Sequence, residues 1–210
     1  MANPSKRVAP NVAGEFFVDS TCIDCDTCRQ VAPQTFGEAA DTAFVFAQPT
    51  SDAERLEALR ALVCCPTGSI GAEEVNGRLH DLKPVMAEFP LLIDGPVYYC
   101  GFNSPKSYGG NSYFVRRDDG NWLVDAPKFL PQLVKRFESL GGISGIFLTH
   151  RDDIADADKY AAHFGSRRVI HRAELQSQPD AELVLDGTDD HLLAPGLLAI
   201  PTPGHTAGHM

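Results

Sequence analysis

No uncharged apolar stretch in this chain of 210 residues approaches the ~20 needed to cross a bilayer, and the N-terminal segment MANPSKRVAPNVAGEFF lacks the apolar core of a secretory signal. No membrane association is expected, and the chain reads as a cytoplasmic protein. Basic side chains are scarce: 18 Lys and Arg stand against 28 Asp and Glu, a net charge of −10. Without a broad cationic surface to neutralise phosphates, nucleic acid is not an expected partner. Internal repeats and low-complexity tracts are lacking too. What is present is an ordinary globular composition, 43% hydrophobic, together with six cysteines. Five of those cysteines fall in the first third, four of them at ligand-like spacing, which points to metal chemistry in a reducing compartment rather than to disulfides.

Cys22, Cys25 and Cys28 follow C-x-x-C-x-x-C spacing, so one tight loop can present three thiolates to a cluster. No cysteine stands close behind them, and Cys65-Pro66, beyond a helix, supplies the fourth corner. The elements around them alternate. A strand is expected at Glu15 to Asp19, a short helix near Arg29 to Phe36, and a strand at Ala43 to Ala47. Ser51 with Glu54 three residues on is a capping box, opening a helix on which Leu56, Leu59 and Val63 recur at helical spacing. Pro66 stops that helix, and Ser69 to Glu73 returns as a strand. Such a unit is small enough that a bound cluster would help to hold it together. Thiolates at two-residue spacing also suit tetrahedral zinc, the rival reading of this site.

The motifs CIDCDTC, VAP and CPTGSI make Glu15 to about Glu73 resemble the single-cluster ferredoxins. The resemblance implies a [4Fe–4S] cluster on Cys22, Cys25, Cys28 and Cys65, one-electron transfer, and a redox partner protein. Cys64 beside Cys65 reads as a buried helix residue, and Cys100 as a small buried hydrophobe. The first domain is expected over residues 1–75 and a linker over 76–90.

Residues 91–210 read as a second domain. Leu91 to Ile93, Val97 to Cys100, Ser112 to Arg116 and Trp122 to Asp125 are expected as antiparallel strands separated by glycine turns. Phe129, Leu133, Phe137 and Leu140 then trace a helical face, Ile143 to Leu148 is an apolar strand, and a helix from Ala155 to Phe164 ends at Gly165. Short strands follow at Val169-Ile170, Leu183 to Leu185 and Leu197 to Ile200. Early hairpins followed by helix–strand alternation indicate a mixed sheet covered by helices, an α+β chain in all. The strand at Ile143 ends in Thr149-His150, ahead of Asp152, Asp153 and Asp156. A second histidine, His205, stands in the loop PTPGHTAGH beyond another strand, the sort of place where α/β sheets put ligands.

NSPKSYGGNSYF, VDAP, the LTH strand end and PGHTAGH make residues 91–210 resemble the metallo-β-lactamase superfamily, in its N-terminal half only. That likeness implies part of an αββα sandwich, C-terminally truncated, with zinc or iron held by His150 and His205 and a carboxylate. It also implies hydrolysis of a small-molecule ester, amide or phosphodiester of unknown identity. Asp153 is the carboxylate expected as ligand, with Asp152 and Asp156 as further candidates; helix capping explains all three equally well. The family pattern H-x-H-x-D-H is incomplete, because Asp152, Ile154 and Ala155 occupy its later positions. His171 is an outside candidate, His209 a less favoured one, Asp125 a residue that fixes a turn, and His80, His163 and His191 structural. Two functional readings follow: an iron–sulfur protein with a metallo-hydrolase-like domain, or an electron carrier or redox sensor whose degenerate second domain is non-catalytic.

Overall fold

A computed structural model describes residues 2–73 and 81–210; the start of the expected linker, 76–80, including His80, lies outside the described residues. The chain forms two compact units, Met1–Phe89 with Gly101–Gly110 and Pro90–Cys100 with Asn111–Met210.

The first unit contains β1 (Phe16–Val18), α1 (Thr27–Val31), β2 (Phe36–Ala39), β3 (Thr42–Val45), α2 (Asp52–Cys64), β4 (Ile70–Ala72) and α3 (Lys83–Ala87). β1 pairs antiparallel with β4, and β2 with β3. Side-chain amides complete the backbone pairing of β1. Asn11 Oδ1 accepts from Val18 N and Val45 N, and Gln48 both accepts from Phe16 N and donates to Phe16 O. The core gathers Phe16, Val18, Phe36, Val45, Ala58, Ala61 and Ile70.

Helix α1 lies earlier than expected. Pro33 pushes Ala32 out of helical geometry (φ −138°, ψ 66°), so the turn closes at Val31. Helix α2 starts on the expected cap, with Ser51 Oγ accepting from Glu54 N at 3.2 Å, while the Glu54 carboxylate takes Thr50 N at 2.7 Å. The buried face of α2 is Ala58, Ala61 and Cys64, small residues that let the core approach closely; Leu56, Leu59 and Val63 lie half-buried beside it. Within the expected linker, Pro84 opens the short helix α3.

The second unit contains β5 (Leu91–Asp94), β6 (Val97–Tyr99), β7 (Tyr113–Val115), β8 (Trp122–Val124), α4 (Pro131–Ser139), β9 (Gly145–Phe147), α5 (Ala157–Phe164), β10 (Arg167–His171), β11 (Leu183–Leu185), β12 (His191–Ala194) and β13 (Leu197–Ala199). Seven strands form one mixed sheet in the order β11-β10-β9-β8-β7-β6-β5. β5 to β8 make an antiparallel meander, and β8 to β11 run parallel, with α4 and α5 as crossovers from β8 to β9 and from β9 to β10.

Strand alternation divides the sheet's side chains between two faces. Phe114 stacks on Phe137 of α4 at 4.9 Å, and Phe137 meets Tyr160 of α5 at 5.8 Å. Trp122, Phe147, Val169 and Leu185 instead pack with Leu193, Ala199 and Met210 around the β12–β13 hairpin. This second cluster brings the end of the PTPGHTAGHM segment beneath the sheet. Gly165 ends α5 in left-handed geometry (φ 67°), as the sequence indicates. Among the described residues no helix is long and apolar enough to cross a membrane.

Candidate cluster and metal sites

In the first unit, Cys22, Cys25, Cys28 and Cys65 line one cavity with Val18, Ile23, Ala43 and Ile70. Two local features place them. Asp24 and Asp26 both take left-handed backbone (φ 54° and 66°), which curls the chain so that Cys22, Cys25 and Cys28 face the same space. For residues other than glycine such conformers cost about 1–3 kcal/mol, although aspartate tolerates them better than most. Arg29 holds both in place, donating from Nη1 to Asp24 Oδ1 at 2.6 Å and from Nε to Asp26 Oδ1 at 2.5 Å. At the far side, Pro66 forces Cys65 out of the helix (φ −57°, ψ 118°), which directs its sulfur to the cavity and leaves Cys64 fully buried on α2.

Four thiols fit a metal cluster by their chemistry. Burial, reinforced by the sulfurs of Cys22, Cys25 and Cys65, pushes the Cys28 thiol up to about 12, so four thiolates can coexist there only against compensating cationic charge. Backbone amides already point at the sulfurs, Asp24 N to Cys22 Sγ at 3.4 Å and Ser69 N to Cys65 Sγ at 3.3 Å, the arrangement that tunes iron–sulfur centres. Cys100 is buried, and that burial raises its thiol.

In the second unit, the ring nitrogens of His150 and His205 and a carboxylate oxygen of Asp152 all lie within 4.8 Å of one another. His150 sits just past β9 and is buried. Its Nδ1 pairs with Thr149 Oγ1 at 3.0 Å, leaving Nε2 3.7 Å from Asp152 Oδ2. Thr149 is gripped in turn by Asp125, whose Oδ1 accepts from Thr149 N at 2.8 Å. Asp125 thus fixes the turn behind the site, and burial drives its own carboxyl well above the ordinary carboxylate value. Burial also lowers the His150 pKa, which favours the neutral imidazole that a metal needs.

His205 Nε2 lies 3.0 Å from Asp152 Oδ2, and the His209 ring is 4.9 Å from that of His150. The loop carrying them is anchored at several points. Met210 N donates to Thr149 O at 3.0 Å, Thr202 N to His209 O at 2.9 Å, and Gly208 N to Glu174 Oε1 at 2.8 Å. A Cβ at Gly208 would stand 2.5 Å from His171 Nδ1 and 2.8 Å from Glu174 Cγ, so a larger residue there would have to displace those side chains. Although burial opposes its charge, pairing with Arg151 and the Gly208 N–H hold the Glu174 carboxyl at about 2.

The structure therefore joins His150 and His205 with Asp152. Asp153 is half-buried, near enough for its charge to act on His150, His205 and His209, and burial raises its carboxyl. Asp156 is engaged elsewhere, accepting from Phe129 N at 3.0 Å and pairing with Lys159 at 3.1 Å. His171 accepts from Ala173 N and meets Gly187 O, and His163 pairs with Glu138. Glu174, Arg29 and the approach of His209 were not read from sequence. Only the Asp26–Arg29 spacing, one helical turn, offered a signal.

Residues 18–72 match the family model described as the 4Fe-4S single cluster domain of Ferredoxin I. Hydroxyacylglutathione hydrolases of Salmonella newport and Salmonella heidelberg are 31% identical to this chain over 112 residues, 51% of this chain and 45% of theirs. The chain thus spans about half the length of the curated relatives it matches. Among solved structures, a class B3 di-zinc metallo-β-lactamase from an Alaskan soil metagenome aligns with TM-score 0.44 and 16% identity over 65% of this chain and 59% of that one. A Cronobacter sakazakii metallo-β-lactamase with a HARLDQ motif aligns with TM-score 0.42 and 22% identity over 54% of each. Similarity to a single-cluster ferredoxin domain is thus confined to residues 18–72, and similarity to the hydrolases to about half of the chain.

Proposed function

We propose that the first unit holds one [4Fe–4S] cluster on Cys22, Cys25, Cys28 and Cys65 and exchanges single electrons with a redox partner protein. The second unit, in this reading, takes zinc or iron at His150, His205 and Asp152, with Asp153 alongside, and hydrolyses a small-molecule substrate. The observation that carries the first part is the convergence of four thiols on one cavity. For the second it is the two imidazoles and one carboxylate within 4.8 Å, a donor set suited to either metal. When bound, such a metal is a Lewis acid that polarises an acyl or phosphoryl oxygen and acidifies water. The protein's own part is orientation: Asp125 holds Thr149, Thr149 holds the His150 ring, and Glu174 holds the loop of His205. The similarity to hydroxyacylglutathione hydrolases makes a hydroxyacylglutathione the first substrate to try. Four thiols gathered on one cavity suit a reducing cytoplasm.

A second reading, an electron carrier or redox sensor whose second unit does not catalyse, draws support from Asp152, Ile154 and Ala155 standing at pattern positions of the early metal motif. One assay separates the two. Thioester, ester and phosphodiester turnover is measured on metal-loaded protein and on His150→Ala. Turnover lost in the variant supports the hydrolase; none in either supports the carrier.

A further inference from the structure

The Gly101–Gly110 segment leaves from near the end of β6 and returns ahead of β7, both strands of the second unit, yet it packs with the first. It is firmly seated there. Phe102, Asn103, Ser104 and Ser107 are each at most 4% exposed, and the Phe102 ring meets Phe89 edge-on at 5.3 Å. Near its end stands Gly109, in left-handed backbone at φ 89°. A Cβ at that position would stand 2.6 Å from Cys25 Cβ, 2.9 Å from Cys25 Sγ and 3.1 Å from Pro66 Cγ. Only a glycine can press its backbone this closely against both segments that carry the thiols.

A buried polar knot fixes Gly109 in that position. Asn103 Nδ2 donates to Gly109 O at 2.7 Å and to Thr27 Oγ1 at 3.1 Å, while Thr27 Oγ1 donates to Gly109 O at 3.3 Å. The same Thr27 hydroxyl lies 3.5 Å from Cys25 Sγ. Thr27 and Asn103 are 2% and 1% exposed, so these contacts are made away from water.

We propose that this loop is a wall of the cluster site: Gly109, positioned by Asn103 and Thr27, seals the Cys25 side against water and so sets both the lifetime and the reduction potential of the cluster. The inference rests on the cluster assignment made above. Potentials of iron–sulfur centres depend on solvent exposure, because water stabilises the more negatively charged reduced state. Opening the wall therefore makes the cluster easier to reduce and quicker to lose.

The test uses the full chain, purified anaerobically, as wild type, Gly109→Ala, Thr27→Val and Thr27→Ser. Cluster bleaching is timed in air and with an iron chelator, and the midpoint potential is measured by spectroscopic titration. Gly109→Ala and Thr27→Val are expected to bleach about tenfold faster, the size of effect seen when groups behind metal ligands are removed. Their midpoints should move upward, while Thr27→Ser stays near wild type. Should Gly109→Ala accumulate no cluster, the Thr27 pair decides alone: faster bleaching in the valine variant, with rescue by serine, supports the wall. A normal cluster in wild type with unchanged lifetimes and midpoints in every variant overturns the wall and leaves the cluster assignment standing. An absence of cluster from wild type overturns both.

Discussion

The cysteine site takes three of its donors from one short loop, shaped by two left-handed aspartates that a single arginine clamps. The histidine site instead draws His205 and Asp152 together from positions 53 residues apart, and their meeting depends on anchors outside the donor set: Asp125, Thr149 and Glu174. The difference is one of locality. A largely local donor set is preformed by its own backbone, so change elsewhere alters the lifetime of what it holds more than its assembly, whereas loss of a donor undoes it. A remote donor set can be dismantled without touching any donor.

The largest effect expected on this comparison comes from the thiols. Cys22→Ala, Cys25→Ala, Cys28→Ala and Cys65→Ala should each lower or alter the cluster's absorbance and its electron paramagnetic resonance signal, whereas Cys64→Ala, which touches the core rather than the cavity, should keep them. A normal cluster in Cys65→Ala with loss in Cys64→Ala would reverse the assignment of the fourth ligand.

Glu174→Gln comes next, because it breaks the histidine site from behind. Its charge is paired with Arg151 and bonded to Gly208 N, so the substitution should cost about 1–3 kcal/mol and reduce zinc or iron bound in the second unit while the cluster spectrum is kept. The pH sense is fixed. A carboxyl held at about 2 against its ordinary 4.5 stabilises the fold above 4.5, and that contribution fades as pH falls toward 2. Melting curves of wild type and variant should therefore converge in acid; a gap in Tm that persists at pH 2 would count against the ion pair.

The smallest effect is expected at Arg29. Its pairs with Asp24 and Asp26 are partly exposed, so Arg29→Ala should cost about 1 kcal/mol and speed cluster loss several-fold without abolishing assembly. Unchanged loss rates would mean that the cysteine loop keeps its left-handed turns unaided.

This contrast in locality also explains what the sequence discloses. C-x-x-C-x-x-C, the Cys65-Pro66 corner, the Ser51 cap, the Gly165 stop and the meander from Leu91 are set by near neighbours, and each is legible as written. Hairpin β2–β3 is not, because it turns through Ala40 at φ 57° rather than through an Asn-Gly or Asp-Gly pair. The inward face of α2 is likewise hidden, since alanines and Cys64 pack inward where leucines would be expected. Strand β12 exists through its pairing with β13, and the loop 101–110 joins the first unit through long-range contacts of Asn103 and Gly109. The choice of Asp152 for the histidine pair depends on how the His205 loop folds back, which no local pattern encodes.

If one chain carries two chemically different centres, metal analysis of the anaerobically purified protein must find both. Expected are about four irons and about four acid-labile sulfides per chain, with about one further zinc or iron that His150→Ala removes and Cys65→Ala does not. Zinc on the cysteines with no labile sulfide, or a metal content that His150→Ala leaves unchanged, would contradict the presence of two such centres.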